Sequence, residues 1–201
     1  MLSFALFMVA FGLCAVEGKN GSTRKPQDGA KIYDNTLDVL RRNSPINLLW
    51  YSIGLEKHMD VCLLSNFLQR EENGARRTLE TYSKFTTPPP LGGKQEHTKR
   101  NVTIHLQKIP PNNLVQLEVK PDEGELDPHW SDPHTVAFAT RNCFLLEVRY
   151  VEKKDPFCVV WGANKTTSQC LGKAEEKCES GKVVDWSKCE KNVKEKKPKK
   201  L

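Results

Sequence analysis

Five of the seven cysteines fall between Cys143 and Cys189. That density suits disulfide cross-linking in an oxidising compartment, because the reducing cytosol keeps thiols free. A second group of chemically capable residues is Asp127-Pro128-His129-Trp130-Ser131-Asp132-Pro133-His134. Its two imidazoles and two carboxylates form a donor set that Zn²⁺ accepts, but Asp-Pro is a turn signature, so the segment reads as a loop and no metal is expected. His58, His97 and His105 stand alone, and no Gly-rich phosphate loop, nucleophile elbow or His-Glu-x-x-His pattern occurs. Cysteines committed to bridges leave no thiolate for catalysis. These residues point to a cofactor-free binding protein and away from an enzyme. The candidates for lining an interior binding site are the aromatic Trp50, Tyr82 and Trp161 and the carboxylates Glu80, Glu118 and Glu147 on expected strands. Aromatic walls attract a cation by about 0.5 to 2 kcal/mol, less than a paired carboxylate supplies.

The compartment is read from the start of the chain. Residues 2–16 are uncharged and almost wholly apolar, with a cleavage site at Val16-Glu17-Gly18, so residues 1–18 are expected to be a secretory signal peptide. No stretch approaches the roughly 18 apolar residues of a membrane-spanning helix. Cleavage removes Cys14 and leaves Cys62, Cys143, Cys158, Cys170, Cys178 and Cys189, an even set for three bridges with 15 possible pairings. Asn20, Asn101 and Asn164 each begin an Asn-x-Ser/Thr acceptor for glycosylation. A soluble, secreted, extracellular monomer is expected.

Charge is uneven along the chain. The formal net charge is +6; residues 1–18 contribute only Glu17, which makes the remainder +7, and residues 190–201 hold six Lys against two Glu, +4 of that total. The tail Lys191, Lys194, Lys196, Lys197, Lys199 and Lys200 has nothing to bury and reads as disordered, with sulfated glycan or an anionic surface as its potential partner. No aromatic residues interleave the lysines, so nucleic acid is not expected. The organisation expected is residues 1–18 as leader, 19–28 as a flexible N-terminus, 29–189 as one folded domain and 190–201 as the tail.

The elements that must position the candidates follow from periodicity. Residues 29–43 space Ile32, Leu37, Val39 and Leu40 for an amphipathic helix, with Asp28 or Asp34 as cap. Apolar segments at 48–53 and 61–67 read as strands, and Arg77, Leu79 and Thr81 alternate with Thr78, Glu80 and Tyr82 in another. Residues 86–93, Thr-Thr-Pro-Pro-Pro-Leu-Gly-Gly, break regular structure. Val102, Ile104 and Leu106 share one strand face, Val115, Leu117 and Val119 another, and Pro110-Pro111-Asn112-Asn113 joins the two as a hairpin. Strands at 135–139, 143–150 and 157–161 complete about eight. An all-β, eight-stranded antiparallel barrel with an N-terminal helix and a C-terminal helix is predicted, with room inside for one small ligand.

Thr135-Val-Ala-Phe-Ala-Thr-Arg-Asn-Cys143-Phe-Leu-Leu, a strand ending in Trp161, a helix from Cys170 to Cys178 and a terminal Cys189 resemble the tick histamine-binding-protein family of salivary lipocalins over about residues 135–189. The resemblance implies the pairs Cys62–Cys189, Cys143–Cys170 and Cys158–Cys178. It also implies a tick-saliva protein that sequesters a host mediator in the barrel as a means of host immune evasion. The family's amine-binding signature carries an Asp and a Glu where this chain has Phe144 and Val159. Without those acids a buried ammonium is costly, which tilts the ligand from an amine such as histamine toward a lipid mediator whose carboxylate meets Arg76, Arg77, Arg149 or Lys153. The alternative is a scaffold whose loops or basic tail bind a host protein, such as a complement or haemostatic component, or an anionic surface.

Overall fold

The computed structural model describes residues 27–58, 61–82, 97–126, 130, 132–148, 155–163, 168–187 and 189. The expected leader, the 86–93 loop and the lysine tail lie outside them.

Helix α1, Gly29–Leu40, starts at Asp28, whose carboxylate accepts from the Ala30 amide at 3.2 Å. Its Ile32, Val39 and Leu40 are buried in the central apolar cluster. Among the described residues nine antiparallel strands follow: β1 Ile46–Ser52, β2 Val61–Ser65, β3 Phe67–Glu71, β4 Gly74–Tyr82, β5 His97–Ile109, β6 Leu114–Pro121, β7 His134–Thr140, β8 Cys143–Val148 and β9 Phe157–Gly162. A two-turn 3-10 segment, Ile53–His58, follows β1. β2 and β3 both pair with β4 across a bend at Asn66 and act as one strand, and β1 pairs with β9. The sheet is thus a closed eight-stranded barrel, and closure removes the open edges that an isolated sheet would expose.

α1 packs on β4 to β8. The Ala139 carbonyl, near the end of β7, accepts from Asn35 and Gln27 side chains, so α1 closes the barrel end opposite His134. Alternation divides the wall. Phe144, Leu146, Val148, Phe157, Val159 and Trp161 belong to the interior cluster, whereas Cys143, Leu145, Cys158 and Val160 belong to a second, outer one.

The outer cluster lies under helix α2, Ser168–Lys177, and a short strand β10, Gly181–Val183, which adds to β1. Three disulfides hold this arm: Cys143–Cys170, Cys158–Cys178 and Cys62–Cys189. These are the pairs that the family resemblance implies. The last spans 127 residues of sequence.

Candidate functional site

Inward residues of β1, β2 and β4 to β9 enclose an apolar slot. Ile46, Leu79, Val102, Ile104, Leu117, Val119, Phe144, Leu146 and Trp161 form its walls, and Ser65, His134 and Trp130 add the polar atoms. Small-molecule sites usually span about 300 to 1,000 Å³, and this slot is far tighter. Only about 40 Å³ is wide enough to centre a water molecule. The slot is therefore narrow, and a bulky ligand enters only as its wall side chains move apart.

The two ends differ. At the open end His134, 3% exposed, meets the Trp130 ring edge-on with centroids 6.1 Å apart. At the closed end Arg77 is wholly buried. Its Nε donates to Ser65 Oγ at 3.0 Å, one terminal nitrogen to the Leu40 and Arg42 carbonyls at 2.7 and 3.0 Å, and the other to the Ser44 and Ser65 carbonyls at 3.2 and 2.8 Å. Those contacts match the five N–H donors of a guanidinium. Burial pushes the Arg77 pKa down to about 10, so the group stays charged at neutral pH.

The sequence candidates divide sharply. Trp161 lines the slot. Trp50 does not: β1 carries a bulge between Leu48 and Trp50, so Leu49 and Trp50 both face outward into the cluster beneath α2. There Gly181 lies so close that a Cβ on it would stand 2.0 Å from the indole, which only glycine permits. Glu80 faces outward, because its neighbour Leu79 lines the slot; its carboxylate accepts from Thr78 Oγ1 and Asn66 Nδ2 and pairs with Lys99 at 3.7 Å. Glu118 lies outside between the inward Leu117 and Val119 and pairs with Lys120 at 3.0 Å. Glu147 lies outside between the inward Leu146 and Val148. Tyr82 ends β4 opposite Val61 and His97, with its side chain outside the described residues.

Phe144 lines the slot and Val159 belongs to the interior cluster. Both positions thus face inward, and both are hydrocarbon. Arg76 is on the outer surface, bonded to Asp122, and Arg77 has its donors committed; Arg149 and Lys153 lie outside the described residues. Asn101 is exposed on β5, while Asn20 and Asn164 lie outside the described residues. Half of the Asp-Pro-His repeat belongs to the slot through Trp130 and His134, a role its turn-like composition concealed. Ser65 was missed as well, although it shares a face with the inward Leu63. Among the described residues no group of three or more His, Cys, Asp or Glu could hold a metal ion.

A larger concavity, about 800 Å³, lies outside the barrel between Arg76, Lys99, Arg100 and the 122–125 turn. Its Arg76 and Arg100 are already bonded to Asp122 and to the Glu125 carbonyl, and it lacks apolar walls. The barrel interior is the better ligand site.

No protein-family model matches the chain, and no curated protein matches it. Among solved structures it is similar to Japanin from Rhipicephalus appendiculatus bound to cholesterol, at 14% identity and a TM-score of 0.52, covering 72% of this chain and 93% of that one. At that identity the likeness shows the fold, a lipocalin-type barrel. No helix of the described residues is long and apolar enough to cross a membrane.

Proposed function

We propose that this chain is a secreted binding protein of the tick salivary lipocalin type that takes a largely apolar small molecule into its barrel. The observation that carries this is the lining of the slot: among the described residues it holds no carboxylate, and Phe144 and Val159 fill the signature positions. An ammonium ligand would be left unpaired at a cost of several kcal/mol, so a biogenic amine is disfavoured and a lipid mediator favoured. The three disulfides support secretion. The neighbour's cholesterol makes that sterol a first probe.

Calorimetric titration of delipidated protein with cholesterol, oleate, histamine and serotonin tests the reading. Saturable binding of an apolar probe and none of either amine is expected. Saturable histamine binding, or no binding of any apolar probe, overturns it.

A further inference from the structure

Arg77 has no carboxylate among the partners that hold it. Four are backbone carbonyls and the fifth is the Ser65 hydroxyl, with the Phe67 ring 5.8 Å away. The Leu40 carbonyl belongs to the C-terminal end of α1, where the helix dipole offsets about half a charge. The remaining positive charge sits in a water-poor interior, where its field is weakly screened. Leu79, two residues along the same strand face, is a wall of the slot, which places the cation at its floor.

Ser65 connects the two. It lines the slot, is 2% exposed, and accepts from Arg77. A hydroxyl that accepts one bond still has its own hydrogen to donate, and polarisation by the guanidinium strengthens that donor. Resting on the reading that the barrel holds a small apolar molecule, we propose that the ligand sits head-down, its carboxylate accepting from Ser65 Oγ above the buried Arg77 and its hydrocarbon body along the wall. A head group at the opposite end, beside Trp130 and His134, would leave the floor charge without a counter-ion.

The test compares oleate, oleyl alcohol and methyl oleate, three molecules with nearly the same hydrocarbon body. Oleate is expected to bind at least about tenfold more tightly than either neutral analogue, as suits a hydrogen bond to a charged group. Ser65→Ala should weaken oleate far more than methyl oleate and so abolish that preference, and Ser65→Thr should keep it. The carboxyl of ¹³C-labelled oleate should titrate at lower pH in the wild-type protein than in a detergent micelle, and should lose that difference in Ser65→Ala. Equal affinity for all three molecules, or equal weakening of all three by Ser65→Ala, overturns the head-down arrangement while the apolar binding site stands. Binding of none of them overturns the head-down arrangement, and binding of neither these nor cholesterol overturns both.

Discussion

Trp50 and Trp161 stand on adjacent, paired strands, yet one is sealed outside the barrel and the other faces its interior. Both are buried, at 2% and 6% exposure, but their surroundings differ in kind. Trp50 is packed between the wall and an arm cross-linked by disulfides, with Gly181 against its ring. Trp161 looks onto a slot that is incompletely filled. The outer contact is built for rigidity and the inner one leaves space. Burial of an aromatic residue therefore says little about ligand contact until the side of the wall is known.

The largest expected effect tests the inner side. Arg77→Met leaves the Leu40, Arg42, Ser44 and Ser65 carbonyls without their donor, and at about 1 to 3 kcal/mol for each unsatisfied group the loss should reach about 5 kcal/mol or prevent folding. Urea denaturation measures it; a loss below about 2 kcal/mol would remove Arg77 as the keystone of the closed end.

The outer side is tested next. Replacing Cys62 and Cys189 with alanine opens a loop of 127 residues, for which chain-entropy estimates give roughly 4 to 5 kcal/mol as an upper figure. Removing Cys158–Cys178, with a separation of 20, should cost roughly 3 kcal/mol. Equal midpoint shifts would show that strain or residual structure outweighs loop length.

The tryptophans themselves give the sharpest contrast. Trp50→Ala and Trp161→Ala should each destabilise by about 3 to 5 kcal/mol, but only Trp161→Ala should change the affinity for a bound apolar probe. A ligand effect from Trp50→Ala alone would reverse the assignment of faces. The smallest effects belong to Glu118→Gln and Glu147→Gln, which should shift stability by less than about 0.5 kcal/mol and leave probe affinity unchanged. A fall in affinity with either would mean that its strand presents the opposite face to the slot.

Much of the barrel was legible because its strands alternate cleanly. Val102, Ile104 and Leu106 on β5 and Val115, Leu117 and Val119 on β6 mark their inner faces unaided, and the pairing of these strands keeps them in register from Ile109 opposite Leu114 to Val102 opposite Pro121. The same alternation, once Leu79, Leu117 and Leu146 are known to point inward, sends Glu80, Glu118 and Glu147 outward. A single strand cannot reveal which of its two faces is the inner one when both carry buried groups, as Thr78 and Glu80 show on β4. The place of His134 in the slot was hidden for another reason: its segment has the composition of a turn, and only closure of the barrel brings the start of β7 to the mouth of the slot.

The amino-acid sequence by itself determined the eight main barrel strands, a helix start with Asp28 or Asp34 as its cap, the supply of bridging cysteines and the hydrocarbon character of positions 144 and 159, because each depends on local residue type and spacing. Tertiary structure decided where Trp50 and Arg77 lie. An extra residue at the β1 bulge inverts a strand's faces without altering its composition. The carbonyls that make burial of Arg77 tolerable come from residues 12 to 37 positions away, and only the closed barrel gathers them around one guanidinium.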